Sequence, residues 1–204
     1  MQKRKIGEGI LDSLFFTADL HLGHSKIHLP DYANRPWNNV DDMDEGLIDA
    51  WNAKVPPNGL VVVAGDLLWD ARRVGEYLPR LNGRVIYVLG DHGIVEPGKR
   101  GSEFFEAIYH ILTLKMPNDR PDITVNHWAM RKWPKGHYGS WHLFGHSHGE
   151  LGPWGRSFDC GVDANRGVHA SLYAPMSYQE VCDRISRIER SRGYVPPVHH
   201  GRRG

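Results

Sequence analysis

Short apolar runs recur along this chain, and each stops at a polar cluster. The run at 14–18 leads into Asp19-Leu20-His21, the run at 60–64 into Gly65-Asp66, and the run at 85–89 into Gly90-Asp91-His92. Residues 123–125 lead into Asn126-His127, and 141–144 into Gly145-His146-Ser147-His148. Runs this short, rich in β-branched and aromatic residues, predict buried strands. Amphipathic segments separate some of them. Met43, Leu47, Ile48 and Trp51 form an apolar stripe behind an acidic start, which predicts a helix. Val74, Leu78 and Leu81 predict a second, weakened by Gly75 and Pro79. A third is expected from Ser102 through Phe105, Ile108 and Tyr109. Ser177 and Glu180 form a capping box ahead of Val181, Ile185 and Ile188, which opens the last helix.

Strand, polar loop and helix in repetition predict an α/β fold with its site at the carboxyl ends of strands. The 204 residues, 40% of them hydrophobic, show no linker-like stretch, so a single domain over 1–193 is expected. Residues 194–204 are rich in Pro, His and Arg and are expected to form a flexible tail, with His199 and His200 part of it. A net charge of +1 gives no global field toward nucleic acid or an anionic membrane, although local basic patches can exist. Two cysteines, Cys160 and Cys182, are too few for a disulfide framework, although a single bridge between them stays open, and they fit a cytoplasmic protein. The basic, apolar start at 1–18 is interrupted by Glu8, Asp12 and Ser13, unlike a secretion signal. No apolar run nears the roughly 20 residues that span a bilayer, so a soluble chain is expected.

The strand ends offer Asp19, His21, Asp66, Asp91, His92, His127, His146 and His148. All are carboxylates or imidazoles, the donors that hold divalent cations. Asp-x-His and His-x-His on extended backbone place alternate side chains on one side, where two donors can reach one ion. Singly, each piece is ordinary: Gly-Asp after a strand is a common turn, and a lone His is commonly a core residue. Their joint occurrence after five strand-like runs is what points to a metal site.

The order Asp-x-His, Gly-Asp, Gly-Asp-His, a single His and Gly-His-x-His resembles the calcineurin-like metallophosphoesterase superfamily. The wording of residues 18–24 and Arg35-Pro36-Trp37 is similar to its small bacterial and phage members. That resemblance implies two β-sheets packed face to face with helices outside, an αββα sandwich. It implies one metal held by Asp19, His21, His148 and Asp66, and a second held by the bridging Asp66 with Asp91, His127 and His146. Mn²⁺ is the favoured ion, with Fe, Zn or Ni as alternatives. It further implies phosphate-ester hydrolysis by a metal-bridging hydroxide, with His92 as the catalytic residue at the transition state or leaving oxygen. A nucleotide or other small mono- or diester is the expected substrate. A protein phosphatase, or a catalytically weak metal-binding scaffold, is the alternative. Nucleic acid is not excluded as a partner.

Two positions depart from the family pattern. Asp91 stands where the family has Asn, so three carboxylates rather than two face the expected cations, and phosphate is attracted less. Gly93 stands where the family has an acid that orients the histidine, leaving Glu96 as the nearest replacement in sequence. Substrate-binding candidates are Arg35, His24 and Arg131. The loops carrying Trp37 and Lys132, Trp133, Lys135 and His137 add basic and aromatic residues that could grip a phosphate or stack on a base.

Overall fold

The computed structural model describes residues 2–164 and 173–192, so the expected tail at 194–204 lies outside the described residues. Among the described residues, ten strands form two mixed five-stranded sheets. In chain order they are β1 (Gln2–Lys5), β2 (Leu14–Thr17), β3 (Leu60–Ala64), β4 (Arg84–Val88) and β5 (Ala107–Tyr109). There follow β6 (Leu112–Lys115), β7 (Ile123–Val125), β8 (Trp141–Phe144), β9 (Ser157–Asp159) and β10 (Met176–Ser177). One sheet has the order β10-β2-β3-β4-β5 and the other β1-β6-β7-β8-β9. β2 to β5 run parallel, as do β7 to β9, while β10 and β7 pair antiparallel with β2 and β6.

The period-2 alternation of strand side chains builds two cores. Leu60, Val62 and Ala64 of β3 face Leu112, Leu114, Ile123 and Val125 of the other sheet. Val61 and Val63 face the opposite way, onto helix α1 (Val40–Lys54) through Met43, Leu47, Ile48 and Trp51. The chain is therefore an α/β sandwich in which one sheet lies between a helix and the second sheet. Burying each of those four α1 side chains is worth about 2 kcal/mol. Asn39 caps α1 by accepting from the Asp42 N–H, and Asp41 and Asp42 occupy its positive first turn.

The second expected helix is broken up. Ala71–Arg73 and Leu78–Arg80 are 3₁₀ turns around a single α turn, α2 (Val74–Tyr77). Pro79 and Gly75 account for the interruption, since one lacks an amide proton and the other favours the unfolded chain. The third expected helix is only a 3₁₀ turn at Ser102–Phe104. Ile108 and Tyr109 instead lie in β5, which extends the sheet by pairing with Tyr87 and Val88 of β4. The final helix, α3 (Tyr178–Arg192), begins at the expected box: the Glu180 carboxylate accepts from the Ser177 N–H at 2.7 Å, and Ser177 Oγ accepts from the Glu180 N–H. Its Val181, Ile185 and Ile188 join the core between the sheets. No helix among the described residues is long and apolar enough to cross a membrane. Cys160 and Cys182 form no disulfide with each other.

The parallel registers align the ends of β2, β3 and β4, with Thr17 opposite Val63 and Val63 opposite Tyr87. β7 and β8 end together likewise, with Val125 opposite Leu143. Five loops thus leave the two sheets at carboxyl ends, and these loops carry the polar motifs.

Candidate metal centre

The loops are tied to one another by backbone hydrogen bonds before their side chains meet. Asp19 N–H donates to Gly65 O and His21 N–H to Asp66 O, so the first two motifs run side by side. Gly145 N–H donates to His127 O, and Val162 N–H to Ala18 O. Asp19, His21, Asp66, His146 and His148 all have positive φ, between 46° and 65°. Left-handed backbone costs a residue with a Cβ on the order of 1 kcal/mol. Five such residues in one cluster mean that the fold holds these side chains against local preference. Gly90 permits a close approach: a Cβ there would lie 2.0 Å from Asp66 Oδ1.

The structure brings together all seven residues expected to bind metal. Asp19, His21 and His148 form one compact group and Asp91, His127 and His146 another, and Asp66 clusters with His21 and His92 and with Asp19 and His127. Asp66 Oδ1 accepts from the Asp91 and His92 backbone N–H groups, both at 3.0 Å. Its Oδ2 is left facing inward, 3.5 Å from His21 Nε2 and 3.6 Å from His127 Nε2. One carboxylate oxygen therefore stands between the two groups. The His146 N–H holds the Asp19 carboxylate at 2.9–3.0 Å.

Several groups lack the partner their chemistry requires. Both ring nitrogens of His21 are buried without a hydrogen bond. His127 Nδ1 lies 2.8 Å from the Ala64 carbonyl, which only accepts, so Nδ1 carries a proton. In the neutral ring Nε2 then presents a lone pair to Asp91 Oδ1 at 2.9 Å. Two acceptors in contact need a shared proton or a cation. Burial, then the nearby Asp159, Asp66 and Asp163 carboxylates, pushes the Asp19 carboxyl well above its usual range. Burial, with His148 and Arg35 close by, pushes His21 well below its own. A neutral His21 imidazole beside an Asp19 carboxyl that resists ionisation is a set that a divalent cation would complete. These buried Asp and His groups can hold a metal ion.

Asp159 and Asp163 support the cluster and carry no motif signal of their own. Asp159 accepts from Ser147 Oγ at 2.5 Å and from Gly149 N–H, which fixes the His146–His148 loop. Asp163 Oδ2 lies 2.7 Å from His148 Nδ1, leaving Nε2 of that ring as its free donor. A carboxylate behind a histidine in this way orients it for a metal. Burial alone would raise the Asp163 carboxyl, but His148 and Arg35 hold it below the usual range. Only spatial proximity reveals these two residues, because they lie beyond the last motif in unremarkable sequence.

The other expected site residues separate. Arg35 is buried, and its guanidinium forms a two-pronged pair with Asp163 while donating to the Asp19 and Leu20 carbonyls at 2.6 and 2.7 Å. It pins the first loop from behind rather than facing a substrate, which corrects its expected role. His24 Nδ1 accepts from the Lys26 and Ile27 N–H groups, and its ring packs 3.8 Å from Trp69 beside His21. Arg131 is exposed and lines a hollow with Lys132, Trp133 and Trp154. Trp37 and Trp133 are packed: Trp37 lies against Tyr173, and Trp133 Nε1 donates to Ser140 O.

His92 sits at the rim, with Nδ1 2.9 Å from Asp66 Oδ2 and its ring stacked on Trp69 at 4.8 Å. Its carboxylate partner is Asp66 and not Glu96, which is exposed. Gly93 explains the departure at the next position. It has φ +55°, and a Cβ there would lie 1.9 Å from the Leu68 carbonyl oxygen, so this backbone has no room for an acid.

No protein-family model matches the chain. An uncharacterized protein of Methanocaldococcus jannaschii is 28% identical over 137 residues, covering 64% of this chain and 71% of that protein. The gene 66 protein of Mycobacterium phage D29 is 29% identical over 104 residues, so the match spans about half of each (48% and 49%). A protein of unknown function from Aquifex aeolicus shares the fold, with a TM-score of 0.60 over 84% of this chain and 98% of its own, at 19% identity. None of these names states an activity.

Proposed function

We propose that this chain is a metal-dependent phosphoesterase of the calcineurin-like kind, with a site for two divalent cations. The observation that carries the proposal is Asp66 Oδ2, set between His21 Nε2 and His127 Nε2, with a carboxylate-and-imidazole group on each side. Asp19, His21 and His148 would hold one ion and Asp91, His127 and His146 the other, with Asp66 shared. Mn²⁺ is the first candidate by the family resemblance; the carboxylates suit it, and the imidazoles also suit Fe, Zn or Ni. When bound, two such ions polarise a phosphate ester and lower the pKa of water.

The residues themselves do the positioning. Backbone N–H groups hold Asp66 Oδ1 and the Asp19 carboxylate, so little rearrangement is needed on binding. Arg35 and Asp163 form a fully buried ion pair behind the cluster. His92 is partly exposed at the mouth and within reach of the shared carboxylate, so it is placed to give a proton to a leaving oxygen. Asp91 is held below the usual carboxyl range: burial would raise it, but the His127, His92 and His146 imidazoles prevail. An ionised Asp91 supports metal binding and takes away some of the attraction for phosphate.

Metal analysis of the purified protein, followed by assays with added Mn²⁺ on monoesters, diesters, cyclic nucleotides and a phosphopeptide, tests this reading. Chelator-sensitive hydrolysis of a small ester is the expected result. Bound metal with no turnover on any ester would leave a scaffold, and preference for the phosphopeptide a protein phosphatase.

A further inference from the structure

Two tryptophans flank the cluster, and neither is used by the chemistry above. Trp69 follows the β3 loop and packs on His92 at 4.8 Å and 22° and on His24 at 3.8 Å, with His21 at 6.4 Å. Trp128 follows His127 directly and lies 5.1 Å from that ring and 4.2 Å from His146. One ring therefore sits against each half of the cluster. Both are large apolar side chains left open to solvent, 43% exposed for Trp69 and 46% for Trp128. Exposed indoles on each side of a polar, cation-ready centre offer flat apolar faces on which a planar ligand can stack.

We propose that Trp69 and Trp128 are stacking platforms for two bases on either side of the scissile phosphate, so that the substrate is a single-stranded nucleic acid or a dinucleotide. The inference rests on the phosphoesterase reading and names its substrate class. A phosphate seated between the two halves would have one indole on each side of it, within reach of its two ester arms. A diester joining two nucleosides puts a flat π-face on both arms, whereas a phosphoserine peptide or a sugar phosphate offers none. Stacking of this kind needs bases out of a duplex, which selects single strands. Beyond Trp128 the exposed Arg131 and Lys132 share a hollow with Trp154, itself 65% exposed. Cations next to an aromatic ring suit the continuation of a nucleic-acid backbone. With a net charge of only +1 the attraction is local, so short strands rather than long-range capture are expected.

The test uses the Mn²⁺-loaded full chain and hydrolysis-resistant probes: a short single-stranded oligothymidylate with methylenephosphonate links, the same backbone without bases, and the linked dithymidine alone. Binding is followed by quenching of tryptophan fluorescence and by calorimetry. The oligothymidylate should bind at least about tenfold more tightly than its abasic counterpart. Trp69→Ala and Trp128→Ala should each weaken it by roughly 5- to 100-fold, the value of one stacked base, and the Phe variants should restore most of the loss. Dithymidine binding as tightly as the oligomer identifies a dinucleotide, and tighter oligomer binding that Arg131→Ala reduces identifies a strand. Equal affinity with and without bases, or Ala variants that bind unchanged, overturns the inference. Metal content and hydrolysis of bis(4-nitrophenyl) phosphate, measured on the same preparation, separate that failure from failure of the phosphoesterase reading.

Discussion

The two halves of the cluster use similar side chains in different surroundings. Asp19 and His21 are buried and His148 half-buried, whereas Asp91 and His146 are exposed around a buried His127. The closed half has a wall behind it: Asp163 grips His148, Arg35 neutralises Asp163 and ties back the Asp19 loop, and Asp159 fastens the His146–His148 turn. The open half relies on Asp91 touching His127, with solvent on its far side. Burial forces Asp19 and His21 toward their neutral forms, while Asp91 keeps its charge through its imidazole neighbours. Desolvated donors gain most from a cation, and a site with solvent access exchanges its ion fastest. The closed half should therefore hold metal tightly, and the open half should exchange it and meet the substrate.

The largest effect is expected from the residue the halves share. Asp66→Ala should remove hydrolysis entirely and reduce bound Mn²⁺ at both halves, read by elemental analysis and a chelator-controlled assay. Undiminished activity would show that the halves do not depend on a common ligand. Next, Asp163→Asn leaves His148 poorly oriented and Arg35 buried without its full counter-charge. Affinity at the closed half should fall about 10- to 100-fold, with the open half changed by much less. Equal losses at both halves in a two-step titration would erase the distinction.

A smaller change is expected at the rim. Gly93→Asp installs the acid usual in the resembled family, but on a backbone at φ +55° whose Cβ would overlap the Leu68 carbonyl. Urea unfolding should show a loss of about 2 kcal/mol or more, and no gain in rate. A stable, faster variant would mean that this loop yields. The smallest effect concerns Asp91→Asn, which removes one negative charge from the open half. The chemical step on a generic ester at saturating Mn²⁺ should speed up by more than a few-fold, with metal content similar or slightly lower. An unchanged or slower rate at matched metal content would mean that Asp91 suits this site as it is.

The strand ends were legible in the sequence because a buried strand must be apolar and its loop is where polar groups collect. All five runs that preceded a motif are strands, and the seven Asp and His residues that followed them converge. What escaped was set by tertiary contact. Ile108 and Tyr109 have helical spacing from Phe105 but pair with β4, since a free sheet edge outweighs weak local propensity. Arg35 stands beside a motif, and nothing local tells that it points inward to Asp163, 128 positions away. Asp159 and Asp163 follow no diagnostic pattern, and Trp69 and Trp128 look like any loop tryptophans until the histidines beside them are placed.

The most direct test of the account is a Mn²⁺ titration of metal-stripped protein, with bound ions counted per chain for the wild type and for Asp66→Ala. Two ions per chain are expected, the first taken up more tightly and released more slowly, and both steps weakened together by the substitution. Saturation at one ion or none, or two steps that survive the loss of Asp66, would contradict a shared-carboxylate centre.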